Sequence, residues 1–271
     1  MQRGYRGLGS TLSCDRRILS QRRATVTPMH LVRPTVCRSR RWLGSVLVLV
    51  ALLTTLAAAG CGTPALSVDR VVYSLGSSGQ VIVVTAPGYG SSYATLETFS
   101  RVNGTWVRAF PAMSARVGWN GFAPPGLKRE GDGRTPTGRF DIGPFMWGAL
   151  ADPGVRYPYR RLVYGDWWDE HVGSPTYNSW QYAPVPSPPF AAGSEALWTE
   201  LPAYDYAATI AYNTSAPVQG AGSGIFLHVG TGGSTAGCVS LASVDLPRVL
   251  RWLNPAVHPS VVLGTSSTVL R

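Results

Sequence analysis

Cys238 and His228 are the two side chains whose types and spacing could carry covalent chemistry. Four cysteines occur in the 271 residues: Cys14, Cys37, Cys61 and Cys238. The first three lie in or at the edge of a segment that reads as a removable export leader. Cys238 is then the one thiol expected inside a folded domain, where no second thiol could bridge to it. It follows a glycine stretch, 230–237, and that stretch follows the apolar run Ile225-Phe226-Leu227-His228-Val229. A thiolate is a strong nucleophile, but a free cysteine ionises only near ~8.5 and needs a base beside it. If Ile225–Val229 is a strand, His228 and Phe226 share one face and Leu227 points the other way. The loop can then fold back and bring Cys238 to the imidazole. The backbone amides of Gly237 and Cys238 are the natural donors for a developing oxyanion. An inert buried cysteine beside a core histidine is the competing reading of the same pair.

These residues need a rigid frame, and the mature chain supplies strands. Runs rich in β-branched and aromatic residues occur at 80–85, 95–102, 106–110, 160–164, 207–212, 225–229 and 260–263. Gly, Pro, Asn and Ser turns separate them. One helix is expected after Cys238. Ser243 is its expected cap, Pro247 falls in its first turn, and Leu246, Val249, Leu250 and Leu253 mark one face. Asn254-Pro255 ends it. The fold class is therefore mainly β: a single mixed β-sandwich or barrel-like domain with one helix after the cysteine. About 210 residues are enough for one well-buried core.

The leader explains the charge. Residues 44–60 run without a charge from Gly44 to Gly60, and Arg38, Arg40 and Arg41 stand just before them. A small-residue site, Ala58-Ala59-Gly60-Cys61, closes the run. It reads as a bacterial lipobox, with Cys61 the lipidated first residue. An uncleaved anchor and ordinary secretion are the alternatives, and all three put the domain outside the cytoplasm. Residues 1–28 carry six arginines and no fold-forming pattern, so Met29 is the expected start and 29–60 the signal peptide. Residues 61–79 read as a tether, 80–264 as the catalytic domain and 265–271 as a tail. Through Cys61 there are 10 Arg and one Asp, a balance of +9. The rest carries 14 Lys+Arg and 13 Asp+Glu, a balance of +1. The formal +10 is a property of the leader and gives no reason to expect nucleic-acid binding.

Two segments resemble one family. Ile225-Phe226-Leu227-His228 followed by Ser234-Thr235-Ala236-Gly237-Cys238-Val239-Ser240 resembles the L,D-transpeptidase (YkuD) catalytic domain. That family carries a histidine, a variable loop, then Ser/Thr-His-Gly-Cys, an apolar residue and Asn or Arg. Thr235, Gly237, Cys238 and Val239 match, while Ala236 stands in place of the second histidine and Ser240 in place of Asn or Arg. The segment Gly131-Asp132-Gly133-Arg134-Thr135-Pro136-Thr137-Gly138-Arg139-Phe140 is similar to the family's D-G-x-T-P-x-G-x-F block. The resemblance implies a transpeptidase acting on peptidoglycan stem peptides through a Cys238 thioester, with His228 as base and no cofactor. Water as acceptor would make it an L,D-carboxypeptidase. A non-catalytic lipoprotein that binds cell wall is the reading from another class. Thr235 and Ser240 would then lie near the substrate.

An acidic aromatic loop, Asp166 to His171 with Tyr177, Asn178 and Trp180, could line a groove or pack as core. Trp168, His171 and Tyr177 are its candidate contacts, and His171 is the rival base. Trp198, Glu200, Tyr204 and Tyr206 raise the same question. The three histidines beyond the leader are scattered. No paired metal-ligand spacing appears, so no metal is expected.

Overall fold

The computed structural model describes residue 71 and residues 73–270. The strands are β1 Gln80–Ala86, β2 Tyr93–Val102, β3 Thr105–Arg116, β4 Phe122–Ala123, β5 Thr135–Pro136, β6 Gly138–Gly148 and β7 Tyr159–Arg161. Then come β8 Asp166–Asp169, β9 Ser179–Tyr182, β10 Glu195–Ala196, β11 Ala207–Ile210, β12 Phe226–Val229, β13 Val239–Leu241 and β14 Ser260–Thr265. The helices are α1 Leu246–Trp252 and α2 Ser266–Val269.

β1 reads Gln-Val-Ile-Val-Val-Thr-Ala, with no polar alternation. Such a run is stable only when both faces are covered. One face, Ile82 and Val84, enters the main core. The other, Val81 and Val83, packs with Phe99, Val262 and Val269 in a smaller cluster. β14 pairs with β1 in parallel, Val81 opposite Ser260. From there the sheet runs β11-β12-β13-β3-β2-β1-β14-β6-β7, and β11 pairs again with β6. That second pairing closes eight strands into a barrel-like sheet, with β7 added outside β6. Closure leaves those strands without a free edge, which removes sites for unwanted pairing. The mainly β expectation holds.

α1 lies where a helix was expected, and its first-turn proline and its end before Asn254-Pro255 are as read. Its N-cap is Asp245 rather than Ser243, and no side chain caps it. The chain turns at Ala242, which accepts from the amides of both Asp245 and Leu246, so helical backbone begins later than Ser243. The Asp245 carboxylate faces Arg248 at 3.1 Å instead of the backbone amides. Leu246, Val249, Leu250 and Leu253 are fully buried in the main core. A second helix, α2, was not expected. Thr265 and Thr268 form a capping box at its start. Val71 pairs with Leu270 and is buried beside it.

β8, β9 and β10 form a small separate sheet. Its residues Asp166-Trp167-Trp168-Asp169 are all buried. Buried carboxylates persist only when partnered. Asp166 accepts from Arg160 and from the Val163 amide, and Asp169 from Ser174, Thr176 and the His171 amide.

Candidate active site

The site is built at the junction of β12 and β13. These strands run parallel, with Leu227 opposite Val239 and His228 opposite Ser240. Paired residues of parallel strands point to the same face. Phe226, His228 and Ser240 therefore share a face, and Cys238, one residue before β13, joins it opposite Phe226. From the strand spacings, Cys238 and His228 lie diagonally about 8 Å apart at their backbones, within reach of two side chains that lean together.

The connecting loop is held at its second half. Val117 accepts from the Thr235 amide at 3.0 Å, and Trp119 donates to the Thr235 carbonyl at 2.9 Å. The Thr235 hydroxyl donates to the Cys238 carbonyl at 2.7 Å and accepts from the Gly237 amide at 3.1 Å. Thr135 donates to the same Cys238 carbonyl at 3.3 Å. The block around Gly131–Phe140 thus contributes position. Asp132 gathers the amides of Arg129 and Arg134 and the ammonium of Lys128. Gly133 sits at φ +66°, and a Cβ there would meet the Trp119 ring nitrogen at 2.0 Å, so only glycine fits.

The Cys238 thiol donates to the Gly224 carbonyl at 3.2 Å and accepts from the Phe226 amide at 3.3 Å. It is buried in a cluster with Trp147, Trp168, Tyr204 and Phe226. Burial pushes its pKa well up, and Glu195 adds to the rise. The resting group is therefore a protonated thiol. His228 is buried too. Burial lowers its pKa, against the carbonyls of Val229 and Ala203, which act to raise it. Its Nδ1 lies 2.8 Å from the Val229 carbonyl. A neutral imidazole in that contact carries its proton on Nδ1 and presents a basic Nε2. Tyr204 meets the ring edge-on at 5.6 Å.

Two small cavities flank the thiol. One, of about 170 Å³, is lined by His228, Ser240, Thr235, Tyr204, Glu195 and Cys238, among others. The other, of about 130 Å³, is lined by Trp119, Lys128, Glu130, Glu170, Glu195 and Cys238, among others. Ala236 lies on the rim of both and is exposed. Roomier cavities of about 420 and 510 Å³ contain neither Cys238 nor His228. Chemistry, not size, marks the site.

The structure brings Cys238, His228, Thr235, Gly237 and Ser240 together. Thr235 spends its hydroxyl on the loop rather than facing outward. The Gly237 amide is engaged by Thr235, so the Cys238 amide is the remaining donor of the expected oxyanion pair. The other candidates lie elsewhere. Trp168 is a buried wall, bonded to Asn178 at 3.0 Å and packed edge-on against Phe226 at 5.0 Å. The Tyr177 hydroxyl is buried against Glu130. His171 lines neither cavity, and its Nδ1 is held 2.8 Å from the Ala192 carbonyl. The aromatic loop is thus mostly core, because its acids found partners. Cys61 lies outside the described residues.

Sequence reasoning passed over Glu195, Glu170, Lys128, Glu130 and Trp119. Only Glu170 stood within a segment it had singled out. Burial, then the nearby carboxyls of Glu195 and Glu130, pushes Glu170 up to about 9. Among the described residues, no cluster of three or more His, Cys, Asp or Glu could hold a metal ion. No helix among them is long and apolar enough to cross a membrane.

A family model, the L,D-transpeptidase catalytic domain (YkuD), matches residues 95–265. Neither a curated protein nor a solved structure matches the chain.

Proposed function

The chain belongs to the family of L,D-transpeptidase (YkuD) catalytic domains, and from that premise we propose that it crosslinks peptidoglycan stem peptides through a thioester on Cys238. The observation that carries this reading is the shared cavity: a buried thiol and a neutral, anchored imidazole lie on one face of β12 and β13. In the resting structure the thiol donates to the Gly224 carbonyl, so proton transfer requires the sulfur to turn from Gly224 toward His228.

In the first half-reaction His228 takes the thiol proton as sulfur attacks the carbonyl carbon of the diamino-acid residue in the donor stem. The oxyanion forms beside the Cys238 amide. The amide C–N bond then breaks, the imidazolium gives its proton to the leaving nitrogen, and D-alanine departs. In the second, an acceptor amine attacks the thioester carbon and loses a proton to His228. The C–S bond breaks, and the returning proton restores the thiol. The chemistry needs no cofactor. The Val229 carbonyl plays the orienting part, holding the Nδ1–H tautomer that puts the basic nitrogen at Nε2.

A carbapenem tests this reading without any need to know the acceptor. Cys238 should open the β-lactam ring and keep the whole drug as one added mass. A domain that stays unmodified after hours with excess drug would favour a wall-binding protein that never forms an acyl-enzyme.

We place the domain at the outer side of the cytoplasmic membrane, held by a lipid on Cys61. The lipobox-like Ala58-Ala59-Gly60-Cys61 behind an apolar run supports this. Cys61→Ala should move the protein out of the lipid-modified membrane fraction or leave an unprocessed precursor. A wild-type N-terminus mapped well beyond Gly62, with no lipid mass, would reject the anchor and spare the enzyme.

A further inference from the structure

Glu195 is the one carboxylate that lines both cavities beside the thiol. It comes from β10, a two-residue strand that pairs with β8 at Trp168. Its Oε2 accepts from the Tyr204 hydroxyl at 2.7 Å. Tyr204 is buried, and its ring stands edge-on to His228 at 5.6 Å and to Phe226 at 5.8 Å. Phe226 in turn gives its amide to the Cys238 sulfur. A chain of contacts therefore runs from Glu195 through Tyr204 to both halves of the thiol–imidazole pair. Ala236, with its single methyl at the common rim, leaves the two cavities flanking Cys238 lined by the same carboxyl.

We propose that Glu195 is a positioning residue for this chemistry: seated on Tyr204, it steadies the wall of His228, and its carboxylate, lining both cavities beside the sulfur, holds the resting Cys238 thiol protonated. The inference rests on Cys238 being the nucleophile.

The charges around the thiol give the direction. Glu195, Glu170 and Glu130 are the carboxyls that line the smaller cavity, from β10, from the end of β8 and from the loop after β4, and Glu170, pushed up to about 9 by burial, stays neutral through neutral pH. Lys128 is the one cation lining the smaller cavity, and it is paired to Asp132 at 2.8 Å. Glu200, Tyr204 and His228 are the further titratable neighbours, the first two from the segment before β11 and the last from β12; Glu200 lines the larger of the two cavities and acts to raise Glu195. Burial raises Glu195 to about 7, with the Tyr204 hydrogen bond acting the other way. Below that pH Glu195 is neutral and does not oppose the thiolate. Above it, an ionised Glu195 pushes the thiol up further.

The test follows Cys238 by its rate of alkylation with iodoacetamide against pH, in the whole domain and with no wall substrate present. Glu195→Gln should lower the midpoint of the rate profile by about one pH unit. A Glu195→Gln profile that superimposes on wild type, or moves upward, would overturn the proposal. If that variant does not fold, Glu195→Ala, which also removes the carboxyl, decides: a lowered midpoint is expected, and an unchanged or raised one would overturn the proposal. A wild-type thiol that never alkylates would instead overturn the nucleophile reading itself, and this inference with it.

Discussion

Cys238→Ser is expected to abolish turnover and leave the fold in place. The serine hydroxyl can keep both backbone contacts of the thiol, donating to Gly224 and accepting from Phe226, which are 3.2 and 3.3 Å from sulfur. The unfolding midpoint should therefore stay within a few degrees of wild type, since one slightly rearranged buried group is worth about 1 kcal/mol. Chemistry does not survive the exchange. A hydroxyl holds its proton far more tightly than a thiol, and the apolar wall of Trp147, Phe226 and Tyr204 offers the alkoxide nothing. Loss of the nucleophile should cost about 10³-fold or more in acylation. A serine variant that keeps a tenth of wild-type activity would remove Cys238 from the reaction.

His228→Ala should slow acylation by about 10²–10⁴-fold. The dependence is steep because the resting thiol is held protonated by burial and has no standing ion pair to draw on. His171→Ala should have little effect, since that ring is tied to Ala192 outside both cavities. The pH profile carries a second signature. Burial keeps the His228 pKa below its ordinary value of 6.5, so the working form is the neutral base. Wild-type rate should be sustained through neutral pH and fall only as pH drops through that lowered value. His228→Ala should lose this acidic limb altogether. Equal damage from the two alanine variants, or a larger loss at His171, would break the assignment of the base. Single-turnover acylation measured across pH checks both points.

Much of the frame was legible because its signals are local. β1 and β14 announce themselves by unbroken β-branched residues, α1 by its apolar spacing and its proline. The strand reading of residues 225–229 put His228 and Phe226 on one face, as the register shows. β6 was harder. It is absent from the strand runs picked out by composition, since Gly138-Arg139-Phe140-Asp141-Ile142-Gly143-Pro144 carries two glycines and a proline, which weaken a strand signal. Yet β6 spans three partners, β14 over its first half and β11 and β7 over its second, with a register shift against β11 between Ala208 and Ile210. Gly143 lies so close to Thr209 that a Cβ would approach it to 2.9 Å. β13 has three residues, too few to show a period.

The site divides the same way. Cys238 and His228 are near in sequence and stood out by type. Glu195 lies 43 residues before Cys238 on a two-residue strand, and only the folding of β10 onto β8 brings it to the thiol. The loop from Asp166 to His171 was open between groove and core, and it packs for a physical reason: Ser174 and Thr176 donate to the Asp169 carboxylate and Asn178 accepts from the Trp168 indole, which lets both be buried. Thr235, expected near the substrate, lines the cavity beside the thiol, and its hydroxyl also closes the loop that carries Cys238.

The most direct test of the thioester is the intact mass of the mature domain after brief mixing with purified tetrapeptide muropeptides. The expected result is a mass increase equal to the muropeptide less one D-alanine, lost on hydroxylamine treatment and mapped to the peptide containing Cys238. Crosslinked dimers among the released products would identify an amine acceptor, and tripeptides alone would identify water. An unmodified domain beside muropeptides that are nonetheless processed, or an adduct mapped to another residue, would contradict the account.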